Sequence, residues 1–194
     1  MTQKLILPIN KCRLTAGFKN KNYAKEFGYT HYGVDMTDKD RKDLTVYASG
    51  KGTVYQTGWH NSGGNVVVII YRNCLLPSGD PRDIVIRYYH LKSIKVKKGQ
   101  IVNKDTIIGL YGNTGASSGA HLHLEVDTDV NYPIYTPQVS SKHNNEVLRK
   151  GIASTVLDPV SVLWVKTSYP DYQQVVSSGY NTVSKSDLNY KKTE

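Results

Sequence analysis

The chain has little that would span a membrane or staple it covalently. No apolar run approaches the roughly 20 residues of a spanning helix, and the opening MTQKLILPIN has too short an apolar stretch for a secretory leader. The expected routes are synthesis in the cytosol with release by another path, such as phage delivery through membrane lesions or on a particle, or a chain whose leader was removed. Cysteine is scarce: Cys12 and Cys74 lie far apart and form no C-x-x-C, so whether they pair stays open. Phenylalanine is scarce too, at two residues against 15 tyrosines. Long helical periodicity is missing before residue 140, and no internal repeat of 20 to 50 residues stands out.

What is present is enough for a core. With 39% hydrophobic residues in 194, the chain suits one substantial domain, or a domain of about 150 residues plus a tail. A formal charge of +9 favours an anionic partner: nucleic acid, an anionic membrane surface, or an acidic polymer such as a bacterial wall. No RNA-binding signature or basic helix is present, so nucleic acid is not the expected partner. Membrane insertion is not expected, and a monomer is.

The runs VVVII (66–70), IVIRYY (84–89), TIIGLY (106–111) and HLHLEV (121–126) are β-branched or alternating and bounded by Gly, Asn, Asp and Pro. ASGKGTV and VKKGQIVNKDTIIG place glycine and lysine between short strands. The expected class is mainly β: a compact antiparallel sheet or barrel-sandwich with a groove walled by loops. Helical candidates are residues 144–152 and a turn at DPVSVLW, with Asp158 as N-cap and Pro159 as first helical residue. Residues 1–166 are expected to form the domain, with its core at about 14–166. Residues 167–194, rich in Ser, Tyr, Asn and Lys, read as a polar tail or linker.

The candidate chemistry lies in histidines. In GASSGAHLHLEV, residues 115–126, His121 and His123 are two apart, so on a strand they share one face while Leu122 and Leu124 point to the other. Their Cα atoms would be roughly 6.5 Å apart, close enough for two imidazoles to reach one small site. An H-x-H alone is as consistent with a structural or surface pair. Gly115, Ser117 and Gly119 also spell G-x-S-x-G, but a nucleophile elbow needs a following helix, and AHLHLEV alternates as a strand. HYGVD supplies His31 and Asp35, both good zinc ligand types, on a loop entering a strand. By itself it also fits a surface histidine and a turn aspartate. His90 ends an apolar strand, where a lone histidine is usually a boundary residue.

The order of these elements says more than each alone. HYGVD, YYHL and GNTGASSGAHLHLEV, within the frame YASGKGTV, GGNVVVI and VKKGQIVNKDTIIG, resemble the lysostaphin-type zinc endopeptidases of bacterial peptidoglycan (metallopeptidase family 23). The similarity runs from about Leu14 to Glu125 and resumes at DPVSVL. It implies one Zn²⁺ per chain held by His31, Asp35 and His123. It also implies that His90 and His121 act on water and substrate, and that peptidoglycan is the partner, with action in the bacterial cell wall. A nearby tyrosine often assists in such enzymes; Tyr88, Tyr29 and Tyr23 are candidates, and His60, on a loop, would border the groove. Glu125 shares the face of His123 and is a possible acceptor behind it, or a rim residue. All five His and Asp positions are filled, which opposes the alternative of a non-catalytic wall-binding or regulatory module on the same fold. The segment 127–157 and the stretch RNCLLPSGDPRD are longer than the resemblance leads one to expect and would wall the groove.

Overall fold

The computed structural model describes residues 1–134, 155–165 and 173–174. His143, the helical candidate at 144–152 and all of the expected tail except 173–174 lie outside the described residues. In chain order the strands are β1 (Leu5–Ile6), β2 (Cys12–Ala16), β3 (Val34–Asp38), β4 (Thr45–Tyr47), β5 (Gly52–His60), β6 (Gly64–Leu75) and β7 (Pro81–Ile94). They continue as β8 (Ile101–Val102), β9 (Ile107–Tyr111), β10 (Leu122–Asp127), β11 (Val156–Leu157), β12 (Leu163–Trp164) and β13 (Gln173–Gln174). One helix, α1 (Lys21–Phe27), and a 3-10 turn at Pro159–Ser161 complete the described elements.

Eleven strands form one sheet along the order β13-β2-β3-β10-β7-β6-β5-β8, with β11 on β10 and with β4 joined through β9 to β7. The pairings are antiparallel except β13 with β2 and the separate pair β1 with β12. The sheet does not close on itself, so of the two expected forms it is the open one. The β-branched runs 66–70 and 84–89 become the two longest strands, joined by the RNCLLPSGDPRD hairpin.

β10 carries the consequence for function. Leu122, Leu124 and Val126 on one face are fully buried in the main core, each contributing roughly 1.5–3 kcal/mol of burial. The other face is also buried, but it holds His123, Glu125 and Asp127. Alternation therefore gives one strand an apolar side that anchors it and a charged side that can do chemistry. The neighbours β3 and β7 bracket it, with His123 opposite both Asp35 and Tyr89.

A bulge in β7 changes what alternation predicts. Val67 pairs with Tyr88 and Asn65 with Leu91, so three steps on β7 match two on β6. His90 sits at the extra position with φ +61, the left-handed region that non-glycine residues rarely adopt. Tyr89 and His90 consequently both turn to the polar side, and Leu91 returns to the core.

Helix α1 was not foreshadowed by periodicity, since it buries no residue. Its signals are at the ends: Asn20 Oδ1 accepts from the N–H groups of Asn22 and Tyr23 at 2.9 and 3.0 Å, and Gly28, at φ +76, caps the other end. At 158–161 the expected cap is present as a shorter turn, with Asp158 accepting from Val160 N at 3.0 Å and Pro159 first in the helix. Cys12 and Cys74 are both free and buried, and burial pushes both thiols up, Cys74 to about 12.

Candidate active site

Three side chains meet at the junction of β3, β10 and the loop before β3. His31 Nε2 lies 3.1 Å from Asp35 Oδ1 and 3.0 Å from His123 Nδ1, and His123 Nδ1 lies 2.8 Å from Asp35 Oδ1. Their ligating atoms all fall within 4.8 Å of one another, and all three residues are buried. Gly33 makes the approach possible: a Cβ there would stand 2.8 Å from His123 Cε1 and closer still to the Leu124 carbonyl.

The far nitrogen of each histidine identifies what the near one can do. His31 Nδ1 lies 2.7 Å from the Gly17 carbonyl, which can only accept, so Nδ1 carries the proton and Nε2 keeps its lone pair. His123 Nε2 lies 3.3 Å from Glu125 Oε1 and directs a proton there, so Nδ1 is the nitrogen turned to the cluster. Two imidazole nitrogens and a carboxylate oxygen thus converge, a set that could hold a metal ion. A divalent metal of the zinc type fits this nitrogen and oxygen donor set. Without an ion a proton takes that place on His123: burial opposes its charge, yet hydrogen bonds to Asp35 and Glu125 hold its pKa up at about 10. Burial likewise works against the Asp35 charge, but the neighbouring histidines keep its carboxyl well below the usual range.

His90 and His121 stand beside this cluster, ring centroids 4.8 Å apart. His90 Nδ1 donates to the Thr114 carbonyl at 2.8 Å, and His121 Nδ1 to the Gly119 carbonyl at 2.7 Å. Each therefore has Nε2 left for a substrate, and that of His121 lies 3.6 Å from Asp35 Oδ1. Burial and the adjoining His121 and His123 push the His90 pKa down to about 4, so its ring is neutral at pH 7. All four histidines are oriented by an acceptor behind them.

Ser117 does not make a nucleophile. Its hydroxyl donates to Gly119 O at 2.9 Å, and the nearby His121 Nδ1, at 3.3 Å, already directs its proton to that same carbonyl. The loop then enters strand β10 rather than a helix.

Tyrosines and His60 divide between core and groove. Tyr29, at the rim, and Tyr23 line both lobes of the cleft, and Tyr23 stacks on the His31 ring at 4.3 Å. His60 lines the first lobe, a cavity of about 250 Å³, and its Nδ1 accepts from Gly63 N at 3.0 Å. Tyr88 is a correction. It is fully buried on the core side, its hydroxyl 2.9 Å from Ser49 Oγ and 2.7 Å from Tyr71 OH, and it does not reach the groove. The bulge at His90 breaks the alternation that would have put Tyr88 and His90 on one face, and Tyr89 lines the cleft instead.

Behind His123 lies a buried ionic set that the sequence reading missed in part. Glu125 is no rim residue: it is 1% exposed, with Oε2 3.4 Å from both Arg87 and the Tyr89 hydroxyl. Arg87, fully buried, donates to Asp127 Oδ2 at 2.7 Å and to the Pro133 carbonyl at 2.6 Å. The available signal was an arginine inside an apolar strand and two acids at alternate positions on another.

An open antiparallel β domain with two imidazoles and a carboxylate close enough to share one ion, beside two more imidazoles in a cleft, has the make-up of a metallopeptidase. Peptidase family M23 matches residues 29–134, and the chain belongs to that family. The peptidoglycan DD-endopeptidase ShyA of Vibrio cholerae is 46% identical over 81 residues, covering 42% of this chain and 17% of its own length. Lysostaphin of Staphylococcus staphylolyticus is 34% identical over 116 residues, covering 54% of this chain and 22% of its own length. The crystal structure of a zinc-containing peptidase from Vibrio cholerae is similar with a TM-score of 0.51 and 32% identity, over 64% of this chain and 37% of that one. The chain thus spans 17% and 22% of the lengths of the two curated relatives. Among the described residues, no helix is long and apolar enough to cross a membrane.

Proposed function

We propose that this chain is a zinc-dependent endopeptidase that hydrolyses peptide bonds in the stem peptides or cross-bridges of bacterial peptidoglycan. The observation that carries the reading is the convergence of His31 Nε2, His123 Nδ1 and Asp35 Oδ1 within about 3 Å of one another, with His90 and His121 alongside. The names of the relatives support the substrate class, and a charge of +9 supports attraction to anionic wall polymers.

His31, His123 and Asp35 are the residues that would hold the ion. Bound there, zinc would lower the pKa of its water towards ~7 and polarise the scissile carbonyl. His90 and His121 present Nε2 atoms to the same space. One accepts the proton of the attacking water and returns it to the leaving amine. The other, when protonated, donates a hydrogen bond to the tetrahedral oxyanion. Fixed Nδ1–H bonds to Thr114 and Gly119 keep both rings aimed without reorganisation. Tyr29, Tyr23 and His60 line the space a peptide would occupy.

The test is release of new amino termini from purified peptidoglycan by the zinc-loaded protein, with and without a chelator, beside His121→Ala. Release that the chelator and the substitution both abolish is expected. No release under any condition would remove the endopeptidase reading and leave a wall-binding module. Mass spectrometry of the fragments from several wall types identifies the bond.

A further inference from the structure

The cleft has a second lobe, a cavity of about 390 Å³ that shares Asp35, His90 and His121 with the catalytic cluster. Its far side is polar and small, with Thr15, Thr37 and Ser118 among its lining. The Thr37 hydroxyl is buried and has no hydrogen-bond partner among the described residues. One lining residue, Arg41, is a permanently charged cation; neither lobe has another lysine or arginine in its lining.

Arg41 is exposed, and the turn that carries it is fixed. The Asp38 carboxylate, itself buried, accepts from the N–H groups of Asp40, Lys42 and Asp43 at 3.1, 3.0 and 3.4 Å. Arg41 N donates to the Asp38 carbonyl at 3.0 Å, and Arg41 itself takes φ +55. Asp38 lies on β3 three residues after Asp35, so the strand that supplies the carboxylate of the cluster also fixes the turn that carries the arginine. Asp38 is occupied with backbone donors, and no ion pair of Arg41 occurs among the described residues. A guanidinium offers a planar fork of donors that matches a carboxylate.

We propose that Arg41 determines specificity by binding a free carboxylate of the substrate peptide close to the scissile amide, in the second lobe of the cleft. The proposal rests on the endopeptidase reading. It predicts that walls whose stem-peptide carboxyl groups are free are better substrates than walls in which they are amidated.

The experiment uses zinc-loaded full chain and synthetic cross-linked peptides from a wall type that it cleaves. Two matched pairs are made, each differing by carboxylate against carboxamide, one within two residues on the acyl side of the scissile bond and one on the amine side. One pair should show a carboxylate preference in kcat/KM of about ten-fold, expressed mainly in KM. In Arg41→Ala that preference should collapse to near one; Arg41→Lys should retain part of it, and Arg41→Glu should invert it. Zinc content and the thermal midpoint of each variant establish that the fold and metal site are intact. No preference in either pair, or a preference that Arg41→Ala leaves in place, overturns the role of Arg41 alone. No cleavage of any peptide or wall by the wild-type protein overturns the endopeptidase reading, and the subsite with it.

Discussion

His123 and Asp35 stand directly opposite each other on adjacent antiparallel strands, with the imidazole Nδ1 2.8 Å from the carboxylate Oδ1. Side chains so paired are neighbours by the geometry of the ladder, about 4.5–5.5 Å apart at Cβ. Two of the three candidate ligands are therefore held by the register of β3 on β10, and only His31 has to be delivered by a loop. Asp35→Ala should lower zinc affinity by more than about 100-fold, whereas Glu125→Gln, which exchanges the charged acceptor behind His123 for a neutral amide, should lower it about ten-fold. Competition with a chromophoric chelator measures both. Equal affinity in Glu125→Gln and wild type would show that the charge of Glu125 does not strengthen the ligand.

Arg87 pairs with both Glu125 and Asp127 inside the sheet. Arg87→Leu leaves two buried carboxylates without their cation and should cost about 3–5 kcal/mol in denaturant unfolding. Adding Glu125→Gln and Asp127→Asn to Arg87→Leu should recover a large part of that loss. If the triple variant is no more stable than Arg87→Leu, the cost lies in lost packing rather than in unpaired charge.

The histidines make stability depend on pH in opposite senses. His90 has a folded pKa of about 4, below the ordinary 6.5, so the unfolded chain binds more protons between these values. Stability should fall as pH drops through that window, by up to about 3 kcal/mol. His123 is raised to about 10, so its contribution is full below 6.5 and is lost as pH climbs towards 10. Chelator-treated protein should then be most stable near pH 6.5. His90→Gln should flatten the acid side in denaturation curves. Saturating zinc should flatten the alkaline side, because the ion takes the place of the proton on Nδ1.

Tyr88 and Tyr89 should separate stability from activity. Tyr88→Phe removes hydroxyl contacts to Ser49 and Tyr71 and should cost about 1 kcal/mol while kcat/KM stays within about two-fold. Tyr89→Ala opens the cleft wall next to His123 and Glu125 and should lower kcat/KM by ten-fold or more. The opposite ranking in wall-hydrolysis assays would mean that the bulge at His90 does not divide the pair in this way.

Much of the site is legible because strand chemistry is local. The alternation in HLHLEV separates Leu122 and Leu124 from His123, and their full burial is what the pattern demands. The turn at Asp158 and Pro159 is likewise readable from the cap residue and the proline alone. α1 was missed because it has no buried face to produce a period, although Asn20 and Gly28 mark its ends. Tyr88 was misplaced because nothing in YYH announces a positive φ at His90; the bulge follows from how β7 must match both β6 and β10.

By itself, the order of residues determined the β class and the list of candidate metal ligands and histidines, since these depend on residue type and on a two-residue period. Tertiary structure decided the rest. It chose the nitrogen each histidine offers, through acceptors distant in the chain such as Gly17 for His31 and Thr114 for His90. It turned Tyr89 rather than Tyr88 to the cleft, buried Arg87 behind Glu125, and set Arg41 at the edge of the second lobe. The reason is physical: a side chain's type is local, but its free lone pair, its burial and its neighbours are properties of strands paired across long separations in the chain.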